Sequence, residues 1–111
     1  MTADDFRRLA LALPEAAEQS HMGHPDFRVG GKIFAGLDQA GGRATVKLTP
    51  DQQEVLMSAD PAMFTPCAGA WGRRGWTYLI LGAADGVTAR SALGMAWRNT
   101  APAKLVGQET P

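Results

Sequence analysis

The segment from Trp71 to Trp76 reads W-G-R-R-G-W and carries residue types that suit the binding of a polyanion. Arginine keeps its charge and cannot be buried without partners, so Arg73 and Arg74 are expected to lie in water. The glycines permit a tight reversal that would place both arginines at the tip of a turn. Such a turn is typical of a wing that contacts nucleic-acid phosphate, and also of an ordinary solvated hairpin. Trp71 is a candidate stacking residue, whereas Trp76 and Trp97 fit core positions.

Further basic residues lie on short predicted strands, namely Arg28, Lys32, Arg43 and Lys47. Period-two alternation places Arg43 and Lys47 on the same face of their strand. With the arginine turn, this set could follow a phosphate backbone. The alternative is a solvated sheet face, in which the cations pair with Asp26, Asp38 or Asp51.

His21, His24 and Asp26 are residue types that bind zinc. Gly23 and Pro25 indicate a loop at this point, and no further ligand follows at a useful spacing. A capping or solvated role for the histidines is therefore favoured, and no metal site is expected.

No reaction can be assigned to the remaining reactive side chains. Ser20 and His21 are adjacent, and adjacent residues rarely face each other as nucleophile and base. Gly30-Gly31-Lys32 lacks the first glycine and the hydroxyl residue of a phosphate-binding loop. Cys67 would be reactive only in an electropositive setting, such as one supplied by Arg73 and Arg74. We therefore expect no enzymatic activity and no cofactor.

Length and composition indicate one globular domain over residues 1–111, with 45% hydrophobic and 20% charged residues. The net charge is zero, which argues against strong sequence-independent binding of nucleic acid. Residues 1–66 hold six basic and nine acidic residues, whereas residues 67–111 hold five and two, so a local basic face is compatible with the neutral total. A single cysteine and the lack of an apolar leader or span indicate a cytoplasmic protein that contacts no membrane.

The elements that must position these residues follow from periodicity. Helical spacing relates Phe6, Leu9, Ala10 and Leu13, and a polar edge strand is considered for residues 15–22. Residues 27–48 are expected to form a three-stranded meander around Gly30-Gly31 and Gly41-Gly42, with Ile33, Phe34 or Ala35, Val46 and Leu48 in the core.

The second half begins with a helix that Thr49, Pro50 and Gln52 start and whose buried stripe is expected to be Val55, Leu56 and Ala59. A short strand is considered for residues 63–67, and a further strand is predicted for residues 76–81. The last helix covers residues 87–99, with Ala89, Leu93, Ala96 and Trp97 inward. Residues 101–111 are expected to be a loose tail. The order of elements predicts an α+β fold with a mostly antiparallel sheet.

The sequence resembles the MmcQ/YjbR-like family of small bacterial proteins. The resemblance lies in His24–Ala35, in Val46–Leu48 with the following helix, in W-G-R-R-G-W-T from Trp71, and in Ala96-Trp97-Arg98 with the segment from Ala101 to Leu105. It covers nearly the whole chain in the right order.

That resemblance implies an α-β(3)-α-β(2)-α domain with helices on one face of the sheet. It also implies DNA binding through a double wing, for which Arg28, Lys32, Arg43, Lys47, Arg73 and Arg74 are the candidate contacts. The same fold class resembles type III secretion chaperones, which implies a protein-interaction module as an alternative. A small-molecule binder is the third hypothesis, and a monomer or weak dimer is expected.

Overall fold

The computed structural model describes residues 1–107, which form a six-stranded sheet and five α-helices. The strands are β1 (Ala17–His21), β2 (His24–Val29), β3 (Lys32–Asp38), β4 (Arg43–Lys47), β5 (Phe64–Pro66) and β6 (Trp76–Ile80). The helices are α1 (Ala3–Leu11), α2 (Pro50–Ala59), α3 (Gly69–Arg73), α4 (Gly86–Thr100) and α5 (Ala103–Val106), with a 3-10 turn over Leu81–Ala83. The strand order is β1-β2-β3-β4-β6-β5, and every neighbouring pair is antiparallel. The predicted α+β class is confirmed.

The helices begin where the sequence provides capping side chains. Thr2 accepts a hydrogen bond from the Asp5 amide at 3.0 Å, and the Asp5 carboxylate accepts one from the Thr2 amide at 3.0 Å. Thr49 and Gln52 form the same reciprocal box at the start of α2. Each box satisfies two amides that the first turn of a helix leaves without partners.

One face of the sheet carries the core, and α1, α2 and α4 pack against it. The fully buried large side chains on this side include Phe6, Phe27, Phe34, Phe64, Met63, Leu79, Leu93 and Trp97. The Nε1 group of Trp97 donates a hydrogen bond to the Pro14 carbonyl at 2.9 Å. This confirms the predicted inward position of Trp97 and ties α4 to the chain segment that follows α1.

Two tight turns set the register of the first three strands. Gly30 and Gly31 have φ of +59° and +81° and connect Val29 to its partner Lys32, as the sequence predicts for this hairpin. The edge strand considered for residues 15–22 is present as β1. Met22 and Gly23, with φ of +52° and +83°, connect it to β2.

The predicted core position of Ile33 is wrong, because β3 contains a bulge. The register shifts between Phe27 and Arg28, so Phe34 and Ala35 are both buried. Ile33 pairs with Arg28 on the opposite, open face of the sheet and is only partly buried. An extra residue in one strand reverses the alternation beyond it, which strict period two cannot anticipate.

The predicted buried stripe of α2 is also partly wrong. Val55 is 64% exposed and Ala59 is exposed, whereas Gln53 is buried and Leu56 packs at the margin of the core. Helix α2 turns a polar side chain inward because polar backbone groups of α3 and β6 lie beneath it, as described below.

Part of the predicted loose tail is ordered. Residues 103–106 form α5, Leu105 is buried, and Pro102 packs closely over Gly30. The remainder of that predicted tail, residues 108–111, lies outside the described residues. None of the helices found in residues 1–107 has the length and apolar character required to span a membrane.

Candidate functional site

The second face of the sheet carries an open groove with a volume of about 610 Å³. Strand pairing aligns Asp26, Gly36, Thr45 and Tyr78 in one row across β2, β3, β4 and β6. The two central members are small, and a Cβ atom at Gly36 would lie 2.9 Å from Thr45 Oγ1. The groove therefore has a low floor over β3 and β4 and higher walls on either side.

One wall is formed by the β1–β2 hairpin, where His21, Met22, His24 and Pro25 line the groove. His21 and His24 are direct cross-strand partners, so this segment is a hairpin and not the predicted loop. Among the described residues, no group of three or more histidine, cysteine or acidic side chains is arranged to hold a metal ion. Ser20, the residue beside His21, projects from the opposite face of β1.

The other wall is aromatic and consists of Trp71 on α3 with Trp76 and Tyr78 on β6. The rings of Trp71 and Trp76 meet edge to face, with centroids 5.9 Å apart and planes at 75°. Trp71 is 58% exposed. Trp76 was predicted to serve the core, but it is only partly buried and lines this groove.

Helix α3 replaces the predicted projecting turn, and two glycines explain its position. A Cβ atom at Gly72 would overlap the carbonyl oxygen of Cys67. Gly75 has φ of +111°, and a Cβ atom there would overlap the carbonyl oxygen of Leu48. Both glycines thus permit close backbone packing, of Gly72 against Cys67 and of Gly75 against Leu48, and Gly69–Arg73 form a helix rather than a hairpin tip.

A buried side chain on α2 fixes α3 from below. Gln53 Nε2 lies 3.0 Å from the Gly72 carbonyl oxygen, 3.1 Å from that of Trp76 and 3.1 Å from Thr77 Oγ1. The amide donates to acceptors on both α3 and β6, so it couples the helix that carries Trp71 to the strand that carries Trp76. Sequence reasoning missed Gln53, since a glutamine between Gln52 and Glu54 suggests a solvent-facing position.

Arg73 and Arg74 are exposed at the end of α3 but do not form a common tip. Trp71 and Arg73 are two residues apart in the helix and project about 200° apart. Trp71 faces the groove, so Arg73 projects from the other side of α3. Arg74 is the C-cap residue and precedes Gly75 and Trp76.

Two of the candidate cations on the strands are paired with carboxylates. Arg28 donates from Nε and Nη2 to the two oxygens of Asp26, at 2.9 and 3.2 Å, and this bond raises the pKa of the Arg28 guanidinium. Arg43 Nε lies 3.3 Å from Asp38 Oδ2, and its guanidinium carbon lies 3.9 Å from the centre of the Tyr78 ring. The pairing with Asp26 and Asp38 that the sequence left open is therefore present.

The other strand cations lie on different faces. Lys47 pairs with Trp76 across β4 and β6 and shares the open face with Arg43. Lys32 pairs with the buried Val29, so it lies at the end of the opposite, core-side face. Within residues 1–107, Lys47, Arg73 and Arg74 form no ion pair. The six predicted contacts are thus not one continuous surface, and Lys32 is separated from the rest.

Cys67 lines the groove at the foot of α3 and is half-buried. Burial raises the pKa of its thiol from 9.0 to about 11, and the opposing influence of Arg43 is smaller. The nearby cation is Arg43 rather than the Arg73 and Arg74 considered from the sequence. A thiol with a raised pKa is a weak nucleophile at neutral pH.

Comparison with known proteins finds a family model that matches this chain and a solved structure with a similar fold. A family model described as YjbR matches residues 11–99. The crystal structure of Deinococcus radiodurans protein DR2400, with the domain DUF419, has a similar fold, with a TM-score of 0.73 and 23% identity over 86% of this chain and 75% of that chain. No curated protein matches this chain.

Proposed function

The chain belongs to the YjbR family, and we propose that it is a non-enzymatic DNA-binding domain whose contact surface is the open face of the sheet. The observation that carries the proposal is the aromatic wall of the groove with Lys47 beside it. Tryptophan rings offer flat surfaces for bases, and cations without carboxylate partners offer contacts for phosphates. The wing predicted over Trp71–Trp76 has no part in the proposal, because Trp71 and Arg73 belong to helix α3 and Trp76 begins β6.

Charge on this side of the domain supports a modest rather than a strong interaction. Asp26 and Asp38 neutralise Arg28 and Arg43, which leaves Lys47, the cross-strand partner of Trp76, and the exposed Arg74, two residues before Trp76. Two phosphate contacts on duplex DNA give a slope of log K against log salt of about −1.8. The neutral total charge of the chain adds little long-range attraction.

A protein partner is a second candidate, favoured by the apolar side chains at the rims of the groove. Met22 is 87% exposed at the tip of the β1–β2 hairpin, and Trp71 is 58% exposed on the opposite wall. Exposed apolar and aromatic side chains around a concave surface are typical of interaction sites.

The test is a titration of fluorescently labelled DNA at two salt concentrations with matched charge variants. Lys47→Ala with Arg74→Ala removes two cations beside the groove. Arg90→Ala with Lys104→Ala removes two exposed cations from helices α4 and α5. We expect the first variant to weaken binding and to flatten the salt slope by up to about 1.8, and the second to bind like the wild type.

Two results would contradict the proposal. An equal loss in both variants would mean that binding follows total charge and not this surface. Failure of the wild type to bind at about 100 μM and low salt, where nonspecific binders register, would remove DNA as the ligand. A protein partner would then become the leading candidate.

A further inference from the structure

We infer that the groove takes single-stranded DNA, with a base stacked on Trp71 and with Arg43 bonded to the edge of a base. This inference rests on the proposed DNA binding and specifies its ligand. It follows from three features of the open face, namely the accessibility of the Trp71 ring, the immobilised guanidinium of Arg43, and the location of the unpaired cations.

The first feature is an aromatic ring that remains open in the groove. Trp71 contacts Trp76 edge to face, so this contact covers at most one face of the Trp71 ring, and the side chain remains 58% exposed. Tyr78 differs, because the Arg43 guanidinium covers its ring. In a duplex the base faces are stacked on each other, and only an unpaired strand can present them to Trp71.

The second feature is a cation held in one orientation. The Gly41 amide donates to Asp38 Oδ1 at 3.0 Å, Asp38 Oδ2 accepts from Arg43 Nε at 3.3 Å, and the guanidinium carbon lies 3.9 Å from the centre of the Tyr78 ring. Arginine has five N–H donors, and this arrangement uses the one on Nε. The terminal amino groups remain for two parallel hydrogen bonds to a base edge.

The third feature is the position of the remaining charge. Lys47 is the cross-strand partner of Trp76, and the exposed Arg74 lies two residues before Trp76 in the chain, whereas Arg43 lies further along, beside Tyr78. Trp76 and Tyr78 are two residues apart on β6, which corresponds to about 7 Å. Phosphates of a strand can therefore contact the cations at the Trp76 end while its bases reach Trp71 and Arg43.

The experiment measures affinity for a labelled single strand and for the duplex of the same sequence. We expect the wild type to bind the single strand more tightly. Trp71→Ala is expected to weaken single-strand binding about 5- to 150-fold, the usual effect of removing one stacked base, and Trp71→Phe to restore most of it. Arg43→Lys keeps the charge but not the planar fork, so it should weaken single-strand binding and spare the duplex.

Val87→Ala is the matched control, since Val87 is 84% exposed at the start of α4 and its loss should change neither affinity. Thermal melts of every variant confirm that the domain is folded. Duplex binding as tight as single-strand binding, or a Trp71→Ala effect equal on both forms, would overturn this inference and leave the DNA proposal intact. Failure to bind either form would refute the DNA proposal itself.

Discussion

Replacement of Gln53 tests whether one buried amide holds α3 in place. Its side-chain nitrogen has two hydrogens and reaches three acceptors at 3.0 to 3.1 Å. Two of these acceptors keep a second hydrogen bond, because the Gly72 carbonyl accepts from Gly75 and the Trp76 carbonyl accepts from the Cys67 amide. The variant therefore loses two hydrogen bonds without leaving a carbonyl unpartnered.

The expected loss of unfolding free energy follows from that count. A net hydrogen bond contributes about 0.5–1.5 kcal/mol, so Gln53→Met, which fills a similar volume, should cost about 1–3 kcal/mol. Gln53→Ala also leaves unfilled space, and its cost should rise to about 2–4 kcal/mol. A domain of this size has roughly 5–15 kcal/mol of stability, so both variants should still fold.

Urea denaturation measures these differences, with Glu54→Ala as the control. Glu54 is the exposed neighbour of Gln53, and its replacement should change stability by less than about 0.5 kcal/mol. With a denaturant slope near 2 kcal/mol per molar, a loss of 2 kcal/mol lowers the midpoint by about 1 M. A Gln53→Met midpoint equal to that of the wild type would refute the role assigned to this amide.

Three further predictions concern other parts of the fold. Trp97→Ala removes a fully buried ring and its bond to Pro14 and should cost about 3–5 kcal/mol in the same assay; an unchanged midpoint would contradict its burial. Cys67, with its pKa near 11, should have about 100-fold less thiolate at neutral pH than a thiol at 9.0, so iodoacetamide should label the folded protein far more slowly than the urea-unfolded one. Asp85 caps α4, and hydrogen bonds from Thr88 lower the pKa of its carboxyl below the ordinary value of 3.8 in the folded state. The stabilising effect of the charged carboxylate is therefore fully present at pH values above 3.8 and is lost as the pH falls through the pKa of the folded state. The stability difference between wild type and Asp85→Ala, followed by denaturation from pH 7 to pH 2, should therefore shrink in acid; a constant difference would exclude the charged cap.

Local rules predicted most of the fold from the sequence. The helix start at Thr49, the Gly30-Gly31 turn and the alternation of Arg43–Leu48 depend on neighbours within a few residues, and the structure contains all of them. The α+β class followed because strands and helices occur in separate runs.

The site was harder to predict because its parts meet only in three dimensions. The sequence placed Trp71–Trp76 on a hairpin, since glycines near arginines suggest a turn, but Gly72 and Gly75 serve close packing against Cys67 and Leu48. No local pattern reveals that a carbonyl from another segment lies there. The alternation of side chains along β6 could have indicated Tyr78 as a residue of the groove, because Tyr78 shares a face with Trp76, two residues earlier.

The strand order also determines when the groove can exist during folding. Strands β1 to β4 are joined by short turns, but β6 reaches β4 only after a loop of about 30 residues closes. The β1–β2 wall can therefore form early, whereas the aromatic wall depends on the slower long-range pairing. A ligand that bridges both walls binds only the finished sheet, so it should slow the separation of β6 from β4 and protect those amides from hydrogen exchange.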